Sequence, residues 1–128
     1  MRYLNEHEWK IASRFLFLSM ALRVIKLDLH QLSQSTPFKI NEPYINLLKK
    51  MEANATEERK HLRKQMREEQ LQVLLDEKNE SFTSYLFVCK GKEEKRNYFN
   101  PAIRQKVASI IEDLMKQADR TTEPLMYK

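Results

Sequence analysis

A chain of 128 residues, 41% apolar and 32% charged, has the size and composition of one globular domain with its own core. Its net charge of +5 favours an acidic partner or surface only mildly. A single glycine, Gly91, excludes phosphate-cradling loops, dinucleotide fingerprints and nucleophile elbows, which use glycine where backbone turns sharply or meets a ligand.

The first helix announces itself with Asn5 as N-cap and Glu8 three residues on, the spacing of a capping box. Ile11, Phe15, Leu18, Leu22, Ile25, Leu29 and Leu32 follow at alternating steps of four and three, a stripe on one helix face running to about Gln34. Leu16, Met20, Val24 and Leu27 widen the stripe, so this helix is expected at the centre, packed by more than one neighbour. A bundle core explains the seam better than a coiled coil does. The stretch Phe15 to Ile25 is the most apolar, yet Ser19 and Arg23 interrupt it, and it is too short for a membrane span.

Ser33-Gln34-Ser35-Thr36-Pro37 is expected to be a linker. Asn41 then caps a second helix with Pro43 in its first turn, and Tyr44, Leu48, Met51 and Ala55 carry the apolar face. No residue between Tyr44 and Asn79 forces a stop. An unbroken helix would have roughly 38 residues and span about 57 Å at 1.5 Å per residue, an overlong rod for this domain. Asn54 with Glu57 offers an alternative break, as a second capping box. Leu71, Val73, Leu74 and Leu75 read as the end of the rod.

From Ser81 the residues become aromatic and β-rich. A hairpin over 82–99 is expected, with Phe82, Leu86 and Val88 on one strand face, Tyr85, Phe87 and Cys89 on the other, and a charged tip at Lys90-Gly91-Lys92-Glu93-Glu94. Two strands alone are marginal in water, so the hairpin must pack on something. Asn100-Pro101 opens a last helix with Ile103, Val107, Ile110, Ile111 and Leu114 as its stripe. The expected fold is mainly α (α+β): a helical bundle with one long charged helix and a single β-hairpin between the second and last helices. One domain covers 1–118, and 119–128 is a flexible tail.

Arg59, Arg63 and Arg67 recur every four residues beside a parallel row of Lys60 and Lys64. Like charges at this spacing repel, which an anionic partner would offset. Glu57, Glu58, Glu68 and Glu69 flank the run, and pairs such as Lys64–Glu68 would make it an ordinary solvated face. Lys90, Lys92, Lys95 and Arg96 at the hairpin form a second candidate anion or nucleic-acid surface. The order of helices, charged hairpin and final helix resembles winged-helix DNA-binding domains, where the wing reaches the duplex. No compact pair of helices precedes the hairpin to supply a recognition helix, and Glu93 and Glu94 dilute its tip. Tyr85, Phe87 and Tyr98 are candidates for a partner interface; stacking of these three and Phe99 on bases is the weaker reading.

Glu58 and His61 match one half of a bundle di-metal motif, but no second copy exists. No metal or cofactor is expected, and His7 and His30 read as ordinary helix residues. Cys89 cannot form an intramolecular disulfide, which fits a reducing compartment, and it reads as a buried structural thiol. The sequons at Asn54 and Asn79 read as chance matches, because no stretch resembles a secretory signal. No catalytic constellation stands out. The expectation is a cytoplasmic, non-enzymatic regulatory or adaptor protein that binds another protein, as a homodimer. The alternative is a DNA- or RNA-binding regulator using the basic helix and the wing-like hairpin.

Overall fold

Helix α1 (Glu6–Gln34) opens on a reciprocal cap: Asn5 Oδ1 accepts from the Glu8 amide at 2.8 Å, and Glu8 Oε1 accepts from the Asn5 amide at 3.0 Å. Two of the amides that a helix start leaves without partners are satisfied in this way. The computed structural model describes residues 3–34 and 38–122, the side chains of 120–122 excepted. Three helices and a three-stranded antiparallel sheet make a mostly helical α+β protein.

Helix α2 (Glu42–Glu68) starts with Pro43 in its first turn, but Asn41 does not cap it. The Asn41 side-chain Nδ2 donates instead to the Leu32 carbonyl at 3.1 Å, fastening the start of α2 to the end of α1. The two helices run antiparallel, as contacts from His7 to Glu69 and from Ser19 to Arg59 require. Asn54 lies within the helix, so there is no break there. Of the expected linker, Ser33 and Gln34 still belong to α1, and residues 35–37 lie outside those described.

The overlong rod does not exist. Helix α2 has 27 residues against 29 in α1, and it stops at Glu68 rather than near Asn79. The stop is made without glycine: Gln70 takes the left-handed conformation at φ 57, and its amide bonds the Arg67 carbonyl at 3.3 Å. Residues assigned to the rod become strand β1 (Leu71–Lys78). Gln70→Gly is therefore expected to stabilise the protein by about 0.5–1 kcal/mol by relieving the side-chain penalty at positive φ. Denaturant midpoints of the two proteins check this, and a loss of stability would contradict the αL stop.

Strand β1 pairs with β2 (Phe82–Cys89), and β2 with β3 (Lys92–Phe99), both antiparallel, in the order β1-β2-β3. The strands at 82–99 are thus two members of a three-stranded meander. Lys90 (φ 51) and Gly91 (φ 84) form the tight turn between β2 and β3, whose twist calls for two positive φ values in succession. The turn from β1 to β2 is tied by Asn79, whose Oδ1 accepts from the Ser81 and Phe82 amides at 2.9 and 2.8 Å. Asn100, the first residue of α3 (Asn100–Thr122), reaches across to it. Its Nδ2 donates to the Asn79 and Glu80 carbonyls, and its Oδ1 accepts from the Thr83 hydroxyl at 2.7 Å. Helix α3 runs four residues into the expected tail; 123–128 lie outside the described residues.

Two cores result. The first sits among the three helices and contains Leu18, Ile25, Met51, Val107, Ile110 and Leu114. The second joins the α1 N-terminal half and the α2 C-terminal end to one sheet face through Leu4, Ile11, Met66, Leu71, Phe87 and Cys89. The α1 stripe is less enclosed than expected: Leu27 is 59% exposed and Val24 borders solvent. On the other sheet face, Leu74, Leu86, Val88, Phe82 and Phe99 belong to neither core.

Candidate functional site

The basic row on α2 is placed by helix periodicity, and three of its four flanking acids, Glu57, Glu58 and Glu69, are engaged elsewhere. Glu58 accepts a two-point contact from Arg14 of α1, Nε at 2.7 Å and Nη2 at 3.0 Å, which raises the Arg14 pKa further. Glu57 faces His61 at 3.2 Å, and Glu69 faces His7 at 2.9 Å. Lys64 and Glu68 do not pair, nor does Arg67 pair with either later acid. The neutralising pairs that the spacing allows are thus absent. The guanidinium groups of Arg63 and Arg67 have no ion pair or hydrogen bond with any described residue.

Arg59 is different, being held in place. Its Nε donates to Ser19 Oγ at 2.7 Å, and its guanidinium carbon lies 4.7 Å from the centre of the Phe15 ring. Arg59, Arg63 and Arg67 together line an open cleft of about 670 Å³. Its apolar floor is Phe15, Met66 and Leu71, and its far wall is Gln70 and Gln72 at the start of β1. Lys60 and Lys64 are exposed but do not line it. Sequence reasoning found the arginines and missed the floor and wall. Their only signal was the alternation of Leu71 and Val73, which an assumed continuing helix concealed.

The hairpin basics do not gather into a second surface. Lys92 is drawn inward, its Nζ 2.6 Å from Glu8 Oε1, and Glu8 is itself buried. That ammonium, more than any other group, holds the Glu8 carboxyl below the usual carboxylate range. Lys95 pairs with Asp76 at 3.2 Å. Arg96 pairs with Glu94 at 2.6 Å and lies 4.0 Å from the centre of the Trp9 ring. Lys90 alone of the four stands at the exposed tip without such a contact among the described residues.

The candidate interface aromatics line the interior. Phe87 has no exposed surface and meets Trp9 edge-on at 4.7 Å, so it offers nothing to a partner. Tyr98 stands edge-on to Phe17 at 5.3 Å, and burial pushes its phenol up to about 12. Tyr85 is half-buried beside it. Burial likewise raises the Cys89 thiol, which donates to the Glu69 carbonyl at 3.3 Å. Glu58 and His61, separately engaged, form no ligand pair, and among the described residues no cluster of three His, Cys, Asp or Glu could hold a metal ion. A second open groove, about 430 Å³ and mostly apolar, lies between α1 and α3 around Met20, Val24, Leu27, Val107 and Ile111. No helix among the described residues is long and apolar enough to cross a membrane.

No solved structure matches the chain. The uncharacterized protein YhjD of Bacillus subtilis (strain 168) is 33% identical over 120 residues, which is 94% of this chain and 99% of that protein. A family model described as YhjD protein matches residues 3–119, nearly the whole length, and the chain belongs to that family.

Proposed function

We propose that this is a small non-enzymatic regulatory or adaptor protein of the cytoplasm that acts by binding another protein, and that it works as a homodimer. The observation that carries the reading is the uncovered sheet face. Leu74, Phe82 and Phe99 are each 41–52% exposed, and Leu86 and Val88 continue the apolar surface between them. Contiguous apolar surface of this kind marks an interaction site more often than scattered exposed residues do. Glu93 and Lys95 stand on that same face by strand alternation, so it carries both signs of charge around an apolar middle. A two-fold interface needs such a self-complementary patch.

The polar groups support a binding role over a catalytic one. Glu8, Lys92, Arg14, Glu58, Asn79 and Asn100 all join one element to another. The nucleic-acid alternative has less to rest on, since three of the four hairpin cations are engaged within the protein.

Sedimentation equilibrium tests the dimer. A dimer is expected at micromolar concentration, with Leu74→Asp and Phe99→Asp shifting it to monomer while the helical circular dichroism is kept. A strict monomer at high micromolar concentration overturns the homodimer.

A further inference from the structure

We infer that the cleft between the α2 arginines and the start of β1 is a docking site for an acidic polypeptide segment, held in extended conformation along the free edge of the sheet. Three observations carry this, and they rest on different parts of the molecule.

The first is charge. Among the described residues the Arg63 and Arg67 side chains stand unpaired in the cleft, three of the four flanking acids (Glu58, Glu57 and Glu69) are held by Arg14, His61 and His7, and the fourth, Glu68, pairs with neither arginine. A row of like charges costs stability in the free protein, and a carboxylate ligand reverses that cost. The second is spacing. Residues four apart on a helix repeat every 6 Å or so, and alternate side chains of an extended strand repeat every 6.8 Å or so. Acids at alternate positions of a strand therefore meet successive guanidiniums of the row. The third is the edge. Among the described residues strand β1 pairs with β2 only, so its other side presents backbone donors and acceptors beside Gln70 and Gln72. Strand addition to such an edge supplies affinity through the main chain, and the adjoining pockets supply specificity.

The floor separates a peptide from a nucleic acid. Met66 and Leu71 suit an aliphatic side chain. Phe15, the aromatic ring of the cleft lining, already carries the Arg59 guanidinium over one face, which a stacking base would have to displace there. The arginine row extends only about 12 Å. Lys60 and Lys64 beside the row do not line the cleft, and the hairpin cations Lys92, Lys95 and Arg96 are bound to Glu8, Asp76 and Glu94. The occupant has carboxylates at alternate positions and at least one apolar residue among them.

This site rests on the protein-binding reading but not on the dimer. Short random peptides displayed on yeast, selected in parallel against the full-length protein and its Arg63→Glu/Arg67→Glu variant, test it. Selection against the parent is expected to enrich acidic residues at alternate positions with interspersed Leu, Ile or Val. The enriched peptides are expected to lose about tenfold in affinity per arginine replaced, while the variant keeps its circular dichroism and sedimentation. Amide exchange of β1 is expected to slow when the peptide binds. Peptides recovered equally on both proteins would leave a peptide-binding protein with its site elsewhere, overturning the cleft alone. Enrichment of nothing on either protein would sink the cleft and the peptide-binding reading together. Displacement of selected peptides by duplex DNA at equal concentration, or unchanged exchange in β1, would also overturn the assignment as stated.

Discussion

Replacing Phe87 by alanine is expected to destabilise the protein by about 3–5 kcal/mol, the range for emptying a fully enclosed aromatic position. The ring has no exposed surface and sits at the centre of the smaller core, edge-on to Trp9 and among residues contributed by α1, α2 and the sheet. Those elements cannot all close over the void, because each is also anchored elsewhere. Domains of this size are stable by only about 5–15 kcal/mol, so the loss removes a large part of the whole. Phe82→Ala, compared with the parent in a Leu74→Asp background that keeps the protein monomeric, is the matched control: the same residue type on the uncovered face, 41% exposed, is expected to cost about 1 kcal/mol or less. Fluorescence of the single tryptophan, Trp9, reports the transition directly. Equal shifts in the denaturant midpoints of the two variants would mean that the sheet does not pack on α1 through this face.

Lys92→Met carries the second large effect. Glu8 keeps only 7% of its side-chain surface, whereas Lys92 keeps 26%, so removing the lysine strands a carboxylate away from water. Breaking a buried pair by deleting one partner costs about 3–5 kcal/mol, and the lower end applies here because the lysine is partly hydrated. The pair also sets a pH dependence. The folded-state pKa of Glu8 is lowered, chiefly by the Lys92 hydrogen bond. The group therefore adds stability that is complete above the unfolded pKa, about 4.3, and disappears as pH falls through the lower folded value. In Lys92→Met that source of acid sensitivity is removed, and the remaining burial favours the protonated acid. Its stability should fall less steeply than the parent's, or rise, as pH is taken from 6 towards 3. Guanidinium midpoints measured across that interval check the sign, and parallel curves would exclude Glu8 as a contributor.

Much of α1 is visible in its residues. The stripe from Ile11 to Ile25 repeats at helical spacing, and Asn5 with Glu8 spells a cap that the structure forms. The end of α2 is not visible, because a left-handed stop at a glutamine has no sequence signature when glycine is the usual occupant. Strand β1 hides for a related reason. It buries only Leu71 and half-buries Val73, and the adjacent Leu74 and Leu75 blur the two-residue alternation that marks a strand.

The site divides along the same line. The arginine row depends on local periodicity and can be read directly. The engagement of Glu58 and Glu69 depends on partners far away in the chain, with Arg14 44 positions from Glu58 and His7 62 positions from Glu69. The inward turn of Lys92 is equally remote from its neighbours, since Glu8 is 84 positions away. Charge counted along the chain therefore overstated the hairpin tip and understated the helix.

Asn100 has a consequence for strand alignment. By gripping the carbonyls of residues 79 and 80 and the hydroxyl of Thr83 at once, one amide locks the bend between the first two strands to the base of the last helix. Sliding β1 by a single step along β2 would turn Leu71 and Val73 outward and bring Gln72 in, and a short, mostly exposed strand offers little apolar resistance to that slip. The grip supplies the missing resistance, because the bend cannot creep without dragging the helix start along with it.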